Sequence, residues 1–258
     1  MTLPVASAVE RLLEARSSGR PLPPLTQTLG DFSLETAYAI QDALRAELAR
    51  RGERSIGWKV GATSPSGQAV LGVKEPARGF LMPRWHSSGA TVSAGGFVSL
   101  ALEVEVAFRM GAALAGPGLT ADGVRPAVEG ALAALELPDF LFAGTPRAAD
   151  FVASGVIAKA IVLGETLTPL SAFDVSREEV VVERDGQVVG TYTAAEVMGS
   201  PLNALAWLAN HLGARGLALA PGDIVMSGAI SGLVRPKPGE TVRAAFAHLG
   251  AVGVTVAP

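Results

Sequence analysis

The sequence contains no cysteine, so disulfides, thiol nucleophiles and thiolate metal sites are all excluded. It has little charge: 17% of the 258 residues, with 21 Lys+Arg against 24 Asp+Glu for a net −3. No basic run or positive field is available to replace counterions, which argues against a nucleic-acid partner. Histidine is sparse, and His86, His211 and His248 form no i,i+4 pair that would support a histidine metal site. Long apolar runs are missing as well. Two 18-residue stretches lack Asp, Glu, Lys and Arg (85–102 and 197–214), but Ser and Gly interrupt the first, and the second carries Pro201, Asn203, Asn210 and His211. Neither reads as a membrane span. The opening MTLPVASAVERLLEAR has no signal-peptide core, because Glu10, Arg11, Glu14 and Arg16 break it. The expected compartment is the cytoplasm. No G-x-G-x-x-G or phosphate loop points to a nucleotide cofactor.

What is present is apolar. At 49% hydrophobic, the chain can bury a large core and is not intrinsically disordered. Val5, Val9, Leu12 and Leu13 predict an amphipathic helix, and Ala37, Ile40, Gln41, Leu44 and Leu48 predict another over Leu34–Ala49, capped by Asp31 or Ser33. From Ile56 the pattern changes to short apolar runs set off by Gly and Pro: IGWKVG, VLGV, GFL, FVSLALEVEVAF, AIVLG, VVVERDGQVV, DIVMSG and VGVTV. These read as strands, with Asp185-Gly186 as a hairpin turn. Two more helices are expected, one after Thr120 through Leu132 and one over Ala194–Leu212. The fold class is therefore α+β, with a helical N-terminal region over 1–55 and a β-rich body over 56–258.

The chemistry concentrates in Leu102–Phe108. Strand alternation puts Leu102, Val104, Val106 and Phe108 on one face and Glu103 and Glu105 on the other, their Cα atoms about 7 Å apart. Neighbouring carboxylates in an apolar strand repel unless a cation lies between them, and oxygen-only ligands favour a hard divalent ion. A solvent-facing edge is the alternative reading. Glu136, ending the ALAALEL run, is a candidate third carboxylate, with Asp139 as a rival. Lysine is rare: Lys59, Lys74, Lys159 and Lys237 against 17 arginines. Lys59, in Gly57-Trp58-Lys59-Val60-Gly61, could hold a substrate carboxylate, or move a proton if desolvation lowered its pKa. A strand-edge lysine reaching water is the reading the local sequence alone favours. Ser154-Gly155 lacks the flanks of a nucleophile elbow. Gly222–Gly228 could present Ser227 and backbone N–H groups to a ligand.

Eight segments in order resemble the hydratase/decarboxylase branch of the fumarylacetoacetate hydrolase superfamily: AYAIQ at 37–41, GWKVGATS at 57–64, LGVKEPARGFL at 71–81, LEVEVAF at 102–108, ALEL at 134–137, GSPLNALAWLANHL at 199–212, GDIVMSG at 222–228 and KPGETVRAAF at 237–246. The resemblance implies a mixed β-roll body with helices, a homo-oligomer that can associate with a pathway enzyme, and a Mg²⁺- or Mn²⁺-dependent lyase acting on small 2-oxo acids or their enols. It assigns Glu103, Glu105 and Glu136 as metal ligands, Lys59 as the active-site lysine, and Leu71, Gly72, Ser227 and Gly228 as substrate-binding. Hydration of a 2-hydroxypenta-2,4-dienoate-like substrate is the leading expectation. Alternatives are decarboxylation of a 4-oxalocrotonate-like dicarboxylate, acylpyruvate-type C–C hydrolysis, or a non-catalytic oxoacid-binding partner.

The chain also departs from the family pattern. Lys74 and Ala77-Arg78 stand in the segment where the family has LGVDEPDYG, Ser154-Gly155 replaces Asp-Asn, and Lys159 replaces a small residue. Asp139-Phe140-Leu141 stands where the family has Asp-Ser-Arg. These changes remodel the proton-transfer and distal-substrate shell, and Lys74 and Arg78 would favour a dicarboxylate if they faced the pocket.

Overall fold

In the computed structural model, which describes residues 5–258, three helices come first: α1 (Val5–Ser18), α2 (Leu25–Leu29) and α3 (Leu34–Arg50). Ser33 caps α3 by accepting a hydrogen bond from the Thr36 N–H, and Glu35 sits in its first turn. Then follow β1 (Gly57–Gly61), α4 (Pro65–Leu71), β2 (Ala77–Leu81), β3 (Trp85–Ser87), β4 (Ala90–Ser93) and β5 (Glu103–Met110). The chain continues through α5 (Ala121–Val124), β6 (Val128–Pro138), α6 (Ala148–Ala153), β7 (Ala158–Leu163), β8 (Glu179–Arg184) and β9 (Gln187–Thr193). It closes with α7 (Pro201–Gly213), β10 (Ile224–Ala229), β11 (Thr241–Phe246) and β12 (Gly250–Ala257).

The strands form two sheets. One has seven strands in the order β2-β1-β10-β5-β6-β7-β3, and the other five in the order β4-β12-β11-β8-β9. A single apolar cluster joins Leu12, Ile40 and Leu44 of the helices to Val104, Val106 and Leu135 of one sheet and Val182 and Val252 of the other. The helices over 5–50 therefore share their core with the β-rich part. Asp185 and Gly186 both have positive φ, the geometry the tight β8–β9 hairpin requires.

Three local expectations differ from the structure. The helix expected after Thr120 stops at Val124, and Val128–Pro138 is strand β6 instead. That strand lies between β5 and β7 and is buried almost end to end, so its residues carry no period of two to distinguish it from a buried helix. VLGV is not a strand. Ser64 caps α4 through the Gly67 N–H, Pro65 occupies its first turn, and Gly72 ends it in a left-handed conformation. The last helix likewise begins at Pro201, after Ser200, rather than at Ala194.

Candidate active site

The register of β5 against β6 brings Glu103 opposite Glu136, which are 33 positions apart in sequence. Alternation along β5 places Glu105 on the same face as Glu103. One oxygen from each of the three carboxylates lies within 4.8 Å of the others. Glu105 and Glu136 are fully buried, and Glu103 is half-buried. Lys59 on β1 joins them: its Nζ is 2.6 Å from Oε2 of Glu136, with almost no solvent exposure on either side chain. The Gly228 N–H donates to Oε2 of Glu105 at 2.8 Å. Oε1 of Glu105 and Oε1 of Glu136 are buried with no hydrogen-bond partner.

Four ionisable groups in one buried place strain one another. Burial pushes the Glu103 carboxyl up to about 7; the Lys59 charge opposes this and Glu136 adds to it. Burial, then repulsion from Glu136, also raises Glu105 well above the ordinary carboxylate range. Burial works against the charge on Lys59, yet attraction to Glu136, Glu103 and Glu105 outweighs it and raises its pKa. Of the two roles open to Lys59 in the sequence, the one that needs a pKa lowered by desolvation is not met: its partners are three carboxylates that lie far off in sequence. All-oxygen donors, converging geometry and unpartnered buried oxygens fit a hard divalent ion.

The carboxylates meet a cavity of about 670 Å³ that Glu103 and Lys59 help to line. Its walls draw on Thr63, Leu71, Phe140, Phe151 and Ile157, and on Tyr192 and Glu196 from the five-stranded sheet side. Leu71 faces this cavity, but Gly72 does not; it borders a separate groove and serves as the C-cap of α4. Ser227 is buried and donates to the Val106 carbonyl at 2.8 Å, so its hydroxyl is spent on the strand rather than offered to the cavity. Gly228 has φ +115 at a register shift in β10, and a Cβ there would lie 2.5 Å from the Thr63 side chain. Only glycine fits.

The departures from the family pattern are compensated elsewhere. Arg78 is buried, gives Asp42 on α3 two contacts of 2.7 Å and donates to Oε1 of Gln41. It does not line the cavity, and Lys74 is exposed outside it. Lys159 reaches Oδ2 of Asp139 at 3.0 Å, while Oδ1 of Asp139 accepts from the N–H groups of Val98 and Ser99. Asp139 is therefore a structural tie and not the third carboxylate. Ser154 donates to the Phe151 carbonyl. Phe140 falls in a segment the sequence marks as altered, whereas nothing local distinguishes Phe151, Ile157, Tyr192 and Glu196 from core or surface residues.

Comparison with known proteins agrees with this geometry. Residues 74–257 match the family model described as fumarylacetoacetate (FAA) hydrolase C-terminal. The 2-hydroxyhexa-2,4-dienoate hydratase of Comamonas testosteroni is 34% identical over 90% of this chain and 89% of its own. The 2-keto-4-pentenoate hydratase of Burkholderia vietnamiensis is 32% identical over 97% of each. Among solved structures, the 4-oxalocrotonate decarboxylase of Pseudomonas putida G7, complexed with magnesium and adipate, has TM-score 0.94 at 27% identity, covering 98% of this chain and 97% of that one. A core of three strand-borne carboxylates, a fold matched over nearly its full length and relatives above 30% identity place this chain in the fumarylacetoacetate hydrolase family.

Proposed function

We propose that the chain is a Mg²⁺- or Mn²⁺-dependent lyase that hydrates a 2-hydroxypenta-2,4-dienoate-like substrate. The observation that carries this reading is the meeting of Glu103, Glu105 and Glu136 beside Lys59 at one cavity, two carboxylate oxygens being left without partners. These glutamates would hold the ion, which when bound supplies Lewis acidity toward the oxo and carboxylate oxygens of a 2-oxo acid. Lys59, ion-paired with Glu136, would place its ammonium next to that position and stabilise negative charge developing on the substrate. The Gly228 N–H fixes the Glu105 carboxylate. Leu71, Phe140, Phe151 and Ile157 exclude water from the hydrocarbon part of the substrate.

The hydratases among the relatives support this choice, while the structural likeness to a decarboxylase favours decarboxylation of an oxo-dicarboxylate as the second reading. We also propose a cytoplasmic homo-oligomer. The outer face of the seven-stranded sheet supports association: Ile56, Leu163, Leu167 and Ile224 border a groove of about 510 Å³ beside Trp85, which is 57% exposed. No helix among the described residues is long and apolar enough to cross a membrane.

The test is ultraviolet-monitored turnover of 2-hydroxypenta-2,4-dienoate after chelation, with and without added Mg²⁺ or Mn²⁺. Metal-dependent loss of the dienol signal with a hydrated 2-oxo acid as product is expected, and Glu105→Gln should abolish it while leaving the fold intact. Full activity in the chelated protein or in that variant would remove the mechanism.

A further inference from the structure

The side chains around the cavity divide by charge. At the inner end lie Lys59 and Glu103, with Lys59 committed to Glu136. Among the described residues, the one further charged side chain lining the cavity is Glu196, on the turn that follows β9. It is exposed, and it comes from the opposite sheet to the one that bears the carboxylate cluster. Tyr192 also lines the cavity, its ring over Gly190, where a Cβ would come within 2.5 Å of the hydroxyl. The other cations that the sequence suggested for this pocket are placed elsewhere: Arg78 is paired with Asp42, Lys159 with Asp139, and Lys74 lies outside the lining.

A second carboxylate at the far end of a bound 2-oxo acid would therefore meet a like charge and no free cation. From this inventory we infer that Glu196 is a specificity-determining residue that makes the cavity selective for oxo-monocarboxylates over oxo-dicarboxylates. The inference rests on the oxo-acid reading of the site and deepens it. It selects a class of substrate whose far end is uncharged, in keeping with walls made of Leu71, Phe140, Phe151 and Ile157. In a partly exposed site, a like charge facing the far carboxylate would change relative affinity by on the order of tenfold. Because Glu196 is exposed, the effect weakens as salt shortens the screening length.

The experiment measures calorimetric dissociation constants of the Mg²⁺-loaded protein for 2-oxopentanoate and 2-oxohexanedioate, at low and high salt. Wild type is expected to favour the monoacid by about tenfold at low salt and by less at high salt. Glu196→Gln should narrow the ratio, and Glu196→Lys should reverse it toward the diacid. Circular dichroism confirms that each variant is folded. A wild-type preference for the diacid, or the same ratio in all three proteins, would overturn the inference while leaving the oxo-acid site standing. Failure of both acids to bind would bring down the oxo-acid reading, and this inference with it.

Discussion

Lys59 and Glu136 approach to 2.6 Å in a place that solvent barely reaches, with two further carboxylates beside them. The lysine is thus a built-in counter-ion that offsets part of the charge a divalent ion would neutralise more fully. Without the ion, three carboxylates share one ammonium, and burial already pushes Glu103 up to about 7.

Metal should therefore stabilise the fold. Adding Mg²⁺ or Mn²⁺ to chelated protein at a hundred times its Kd is expected to contribute about 2.7 kcal/mol, a rise in Tm of roughly 5–10 °C for a chain of this size. Differential scanning fluorimetry checks this. The same titration of Glu105→Gln should give a much smaller rise.

Removing the lysine should be felt twice. Lys59→Met leaves buried carboxylates without their cation, and the chelated variant is expected to be about 3 kcal/mol less stable in urea melts. Turnover by the metal-loaded variant should fall at least about a hundredfold. Wild-type stability in the chelated variant would show that Lys59 does not serve as the counter-ion.

Arg78 belongs to the scaffold. Asp42→Asn weakens its charged partner and should cost about 2 kcal/mol, read from a shifted denaturation midpoint. The ratio kcat/KM on a monocarboxylate should stay within about threefold of wild type, because neither residue borders the cavity. A selective loss of diacid binding would instead place Arg78 in substrate recognition.

Acid should destabilise the fold through His211. Burial, with the charges of Arg215 and Arg78, lowers this imidazole to about 3, against 6.5 in the unfolded chain. Below pH 6.5 the unfolded state takes up a proton that the folded state refuses, so stability falls as pH drops from 6.5 toward 3. His211→Phe can keep the ring contacts with Tyr38 and Trp207 and should flatten that slope, as equilibrium melts at several pH values would reveal.

Much of this site was legible in the sequence because it rests on local patterns. Alternation in β5 set Glu103 and Glu105 on one face without knowledge of any partner. Glu136 was harder: β6 is buried on both faces, so its period vanished, and only the pairing with β5 brings that glutamate opposite Glu103. The state of Lys59 is not legible in the sequence, because the carboxylates around it are at least 44 positions away. Arg78 resembled a substrate cation until α3 supplied Asp42. Ser227 and Gly228 are adjacent yet divide their roles: the serine hydroxyl goes to the Val106 carbonyl, and the glycine N–H goes to Glu105.

The strands that carry Lys59, Glu103, Glu105 and Glu136 are each hydrogen-bonded on both sides, whereas β9, which carries Tyr192 and leads into the turn bearing Glu196, is the last strand of its sheet and has one neighbour. Altering an interior strand disturbs two ladders at once; altering an edge disturbs one and can be absorbed by solvent. The groups proposed as reactive are thus anchored where a change disturbs two ladders, and the residues proposed to face the far end of a substrate lie at or beyond an edge, where it disturbs one. A lineage built this way would exchange one acid for another by editing a border strand and the turn after it, with its reagents left in place.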